Sequence, residues 1–129
     1  MSLTPRRILR GLAAAFFVAA GANHFITPHI YLGMMPPWLP APEAMNVISG
    51  LAEILGGLGL LVPRLRRAAG WGLIALLIAV FPANLHVALQ GSMPGTDFSP
   101  TLLWLRLPFQ LLFIAWIWWV ALRRDRTVA

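Results

Sequence analysis

Apolar residues run along the chain in four blocks, roughly 8–26, 45–62, 68–89 and 101–122, separated by basic or proline-rich connections. Each block holds about 18–22 residues, close to the ~20 that an α-helix needs to cross ~30 Å of hydrocarbon. None alternates with the period of two expected of a barrel strand, so the blocks predict helices. The expected architecture is all-α: one domain over 1–129 folded as a four-transmembrane-helix bundle, with the lipid bilayer as its first partner.

The first block has a rival reading. "RRILRGLAAAFFVAAGA" has a basic head, an apolar middle and an Ala20-Gly21-Ala22 ending, like a cleavable signal peptide with Asn23 as the new terminus. A retained helix is the favoured expectation, because the apolar run resumes at Phe25 and Ile26. The connection 27–44, "TPHIYLGMMPPWLPAPEA", holds five of the eleven prolines, which argues against regular helix across 36–42. Tyr31, Met34, Met35 and Trp38 make it apolar enough to lie in the headgroup region, as a lid or a simple hairpin connection.

Composition sharpens the membrane assignment: 59% of residues are hydrophobic, against ten basic and four acidic side chains. Cysteine is absent, which excludes disulfides, thiolate metal sites and dithiol redox chemistry. The net charge of +6 does not point to nucleic acid, because the basic residues, all arginine, sit in short clusters beside the apolar blocks. Arg6, Arg7 and Arg10 precede the first, Arg64, Arg66 and Arg67 join the second to the third, and Arg123, Arg124 and Arg126 follow the fourth. The other two connections carry no basic residue. By the positive-inside rule both termini are cytoplasmic.

That orientation puts the intramembrane polar residues at one level. Glu53 lies about 12 Å below the outer end of the second helix, and Arg106 about 7–8 Å deep in the fourth, with Gln110 one turn further. Asn23 and His24 close the first helix, and Asn84 and His86 lie in the outer third of the third. A charge at a helix centre costs roughly 2.5–3.5 kcal/mol on insertion scales, so such groups turn inward and pair. Glu53 and Arg106 are the expected ion pair at the centre of an outer-leaflet pocket. Ser49 and Gln110 are their same-face neighbours four residues away. Should Arg106 snorkel outward, Glu53 is expected to be protonated or held by His24. Asn84 and His86 point about 200° apart, so Asn84 is expected at the site and His86 with Gln90 near the surface. Pro82 and Pro108 free the carbonyls of Ile78 and Trp104.

The candidate ligand-binding set is Asn23, His24, Tyr31, Ser49, Glu53, Asn84, His86, Arg106 and Gln110. His24, His86 and Glu53 would suit zinc or copper chemically, but no HxxxH or HxxH spacing supports a metal and none is expected. No nucleophile–base pair, phosphate loop or dinucleotide fingerprint points to catalysis. The structural alternative is a polar pair that fixes helix register.

"AGANHFITPHIY", "MPPWLP", "SGLAEILGGLGLLVPRLRRAAGWGLIALLIAVFPANLHVAL" and "LWLRLPFQLLFIAW" together resemble the DoxX family of small bacterial membrane proteins, over roughly 10–120. The most specific pieces are NHF-x-x-P-x-x-Y, SG-x-x-E-x-x-GG-x-GLL, FPAN-x-H and R-x-P-x-Q. The resemblance implies a multi-pass protein of the bacterial cytoplasmic (inner) membrane. Its implied role is redox-linked and accessory, beside a membrane-associated oxidoreductase or another membrane protein, with a pocket for a quinone or small anion. Relatives that look like chaperones or cargo receptors imply the alternative, an assembly-type interaction protein whose polar cluster is purely structural.

Overall fold

Proline opens four of the five α-helices, at a position where its missing N–H is not needed and its fixed φ suits the first turn. The computed structural model describes residues 4–123. Its elements are α1 (Pro5–Ile26), α2 (Pro28–Met34), α3 (Pro42–Leu61), α4 (Arg66–Gln90) and α5 (Pro100–Ile117), which continues into a π-helical turn, Trp118–Leu122. Thr4 and Ser99 cap α1 and α5 by accepting from Arg7 N and Leu102 N, each at 3.2 Å. Gly91, at φ 76°, ends α4 by donating to Val87 O and Ala88 O.

Four of these elements, α1, α3, α4 and α5 with its π turn, are long and apolar enough to cross a membrane. They begin up to three residues before the apolar blocks, because proline and capping residues, not hydropathy, set helix starts. Within the 27–44 connection, α2 is a helix that the proline count did not suggest; no helix runs across 35–41. Most span side chains face outward: Leu55 is 67% exposed, Leu111 66% and Ile78 60%. In water such a surface would aggregate, and lipid is the solvent that matches it.

Glycine sets the helix spacing on two sides of α3. A Cβ on Gly21 would stand 2.6 Å from Gly50 O, and one on Gly57 2.9 Å from Ala14 O, so α1 and α3 meet backbone to backbone. Gly56 and Gly59 instead face α4, against Leu73 and Ala69. The small residues of α3 thus divide between two neighbours.

The arginines at the end of the bundle that carries both termini bind backbone carbonyls. Arg6 Nε donates to Trp119 O (2.9 Å), Arg10 Nε to Val120 O (2.8 Å) and Arg67 Nη1 to Leu122 O (2.9 Å). Arg6 Nη2 also reaches Arg123 O. These bonds satisfy carbonyls at a helix end and tie α1, α4 and α5 together there. Above this clamp lies an apolar cluster around Phe17, Leu60, Leu73 and Ile117. A second cluster, around Met34, Val87, Met93 and Leu103, lies under α2. The polar residues lie between the two.

Candidate functional site

Two separate polar chains face each other across the bundle. The first joins α1 to α3. His24 is four residues before Pro28, which has no N–H, so its carbonyl lacks the usual helical donor. Asn46 supplies one: its Nδ2 donates to His24 O at 3.0 Å. That bond fixes the amide's orientation, so Oδ1 is the atom that meets His24 Nδ1 at 2.8 Å, and Nδ1 carries the hydrogen. The remaining ring nitrogen, Nε2, lies 3.5 Å from Glu53 Oε1. Glu53 Oε2 is buried and has no hydrogen-bond partner. Tyr31 of α2 stacks on the His24 ring, with centroids 3.8 Å apart and planes 17° from parallel. Asn23 Nδ2 donates to the Tyr31 hydroxyl at 2.8 Å.

Local sequence explains the alignment. Asn46, Gly50 and Glu53 follow i, i+4, i+7 and so share one face of α3. Gly50 admits His24 closely, since a Cβ there would stand 2.9 Å from His24 Cβ.

The second chain joins α4 to α5 and runs in one donor direction. Arg106 donates through Nη2 to Asn84 Oδ1 at 3.2 Å and through Nη1 to Met93 Sδ at 3.1 Å. Asn84 Nδ2 donates to Gln110 Oε1 at 2.8 Å, and Gln110 Nε2 donates to Leu77 O. Leu77 immediately precedes Ile78, the residue whose helical donor Pro82 removes. A buried glutamine therefore supports the α4 backbone beside its proline.

Several expectations need correction. Glu53 and Arg106 do not bond to each other: Glu53 faces His24, and Arg106 is held by Asn84 and Met93. Each charge has found an uncharged or titratable partner on the adjacent helix, so neither needs the other. His86 does not line the cavity, and its side chain makes no hydrogen bond to that of Gln90. Among the described residues no three His, Cys, Asp or Glu side chains group to hold a metal. Asn23 acts behind the site through Tyr31, while Ser49 lines the cavity without a hydrogen bond. Asn46 and Met93 are site residues that the sequence reading missed. The i+7 spacing from Asn46 to Glu53 was the available signal for the first, and Met93 carried none.

Between the two chains lies a cavity of about 400 Å³. His24, Glu53, Asn84, Arg106 and Gln110 form its polar walls, Tyr31, Met34 and Met35 its lid. Phe16, Phe17, Phe109 and Phe113 line its apolar part. Of these, Phe16 of α1 and Phe109 of α5 are 42% and 53% exposed. Phe16 stacks on Phe113 at 5.0 Å, and Trp116 Nε1 donates to Leu9 O at 3.1 Å.

Fold and cavity together define a multi-pass helical membrane protein with an amphiphilic site between its helices. The chain belongs to the family described as Domain of unknown function (DUF8561), whose model matches residues 12–121. Comparison with curated proteins and with solved structures returns no match.

Proposed function

We propose that this protein binds a ring-headed lipophile of the quinone class and serves as a redox-linked accessory subunit beside a membrane oxidoreductase. One observation carries the reading: a cavity of about 400 Å³, large enough for a ring, sets Glu53, Arg106 and Gln110 against a phenylalanine-lined apolar part. The mixed walls suit a molecule with polar substituents at one side and an apolar body. A small hydrated anion fits worse, because most lining residues are apolar and Arg106 is already engaged. The resemblance to DoxX proteins supports the redox link, and with it a bacterial inner membrane. The arginine distribution supports cytoplasmic termini.

The assembly-factor reading is favoured by a different observation. Both polar chains end on backbone carbonyls next to proline-disturbed helix segments, at His24 and Leu77, as purely structural glue would. Native mass spectrometry from lipid separates the two. Binding predicts a quinone-class adduct on the wild type that is lost in Arg106→Ala and Glu53→Leu, with helical content retained. An adduct-free wild type that also takes up no added short-chain quinone overturns the binding role.

A further inference from the structure

Resting on that reading, we propose that the cavity selects the oxidised, carbonyl-bearing form of the ring, with Tyr31 and Arg106 as the donors that hold its oxygen. Asn23 sets the first donor. Its Nδ2 donates to the Tyr31 hydroxyl at 2.8 Å, so the phenolic oxygen is the acceptor in that bond. The hydroxyl keeps its own hydrogen, and among the described residues no acceptor meets it. Stacking on His24 fixes the ring that carries this hydroxyl at the lid of the cavity. Arg106 is the second donor. Of the five N–H groups of a guanidinium it gives one to Asn84 and one to Met93, which leaves three. Tyr31 and Arg106 both line the cavity and stand near enough to interact electrostatically.

Spare acceptors are scarce by comparison. Asn84 Oδ1 already accepts from Arg106, and Gln110 Oε1 from Asn84. Glu53 adds none: Oε2 is buried out of reach, and Oε1 faces His24 Nε2 at 3.5 Å. The Ser49 hydroxyl, with no hydrogen bond of its own, is the one lining side-chain oxygen left uncommitted. A quinone carbonyl has two lone pairs and no hydrogen, so it meets both donors and leaves nothing unpaired. A quinol brings two hydroxyl hydrogens, and at least one of them finds no uncommitted acceptor. A donor buried in that way weakens binding by the cost of drying it. A cationic amine fares worse, since it adds a second positive charge beside Arg106.

The test is a pair of titrations on the intact protein in lipid nanodiscs, kept anaerobic and read by quenching of tryptophan fluorescence. The probes are a short-chain quinone and the matching quinol, each taken to its own dissociation constant. The expected order puts the quinone about tenfold tighter, the scale of one buried hydrogen bond. The same tenfold selection lowers the midpoint potential of the bound couple by about 30 mV, which a redox titration reads independently. Tyr31→Phe keeps the ring on His24 and removes only the hydroxyl, so it should weaken the quinone several-fold and the quinol less. Quinone and quinol binding equally well, or the quinol binding tighter, overturns this inference and leaves the binding role standing. Selection that survives undiminished in Tyr31→Phe does the same. Binding of neither form overturns both.

Discussion

Glu53 and Arg106 line one cavity from opposite helix pairs, yet no ion pair joins them. A direct bond would have closed the bundle around a buried charge pair, a solution that often adds little stability. Here each charge is held by its own adjacent helix, and the space between them stays open. The separation turns two candidate structural charges into the two poles of a site.

Asn46 is the residue on which the α1–α3 pole depends. Asn46→Ala leaves two buried groups, His24 Nδ1 and His24 O, without partners. The expected loss is about 1–3 kcal/mol for each. Thermal unfolding in detergent should fall clearly below wild type, while the exposed Glu43→Ala should stay within about 0.5 kcal/mol of it. An Asn46→Ala protein as stable as the Glu43 control would refute the assigned role.

Glycine substitutions should divide by what surrounds them. A methyl at Gly21 meets backbone, Gly50 O at 2.6 Å and Ile54 N at 2.9 Å, which cannot yield without moving α1 from α3. Gly21→Ala is expected to cost about 1–3 kcal/mol or more through overpacking. Gly72 has nothing within 4 Å, so Gly72→Ala should gain roughly 0.5–1 kcal/mol from helix propensity. Unfolding of both variants in one detergent checks the contrast, and equal effects would contradict the packing described.

The four spans were legible because hydropathy over a helix length is a one-dimensional signal, and lipid leaves the backbone no alternative to helix. The common depth of His24, Glu53, Asn84 and Arg106 could likewise be computed from rise per residue. Who bonds whom could not. Depth says nothing about azimuth, and opposite charge made Glu53–Arg106 the obvious pair. Two local facts decide otherwise: Pro28 strips His24 O of its donor and draws in Asn46, and Arg106 meets Asn84 on the neighbouring helix. Helix α2 was obscured because Pro28 serves as a starter while the prolines beyond it act as breakers.

Orientation can be read without background labelling, since the chain has no cysteine. Leu65 is exposed among Arg64, Arg66 and Arg67 in the α3–α4 connection, and Asp97 is exposed in the α4–α5 connection at the other end. With cytoplasmic termini, a membrane-impermeant maleimide on intact cells should label Asp97→Cys, and Leu65→Cys only after lysis. The reverse pattern would invert the protein and place the cavity in the inner leaflet.

The exposure of Phe16 and Phe109, which also line the cavity, predicts that ligand arrives sideways, from the bilayer, and not from water above α2. The two routes respond differently to the length of the ligand's apolar tail. Each added methylene lowers the aqueous concentration by ~0.8 kcal/mol of transfer free energy, while the mole fraction in the membrane stays nearly fixed. Lateral access therefore predicts association rates, by stopped-flow tryptophan quenching, that barely change as the tail lengthens at constant ligand-to-lipid ratio. Access from water predicts a fall of several-fold per methylene. Phe109→Trp, which adds bulk at the wall, should slow association and dissociation together and leave the dissociation constant within a few-fold of wild type. A rate that tracks aqueous concentration, or one indifferent to Phe109→Trp, would mean the wall between α1 and α5 stays shut.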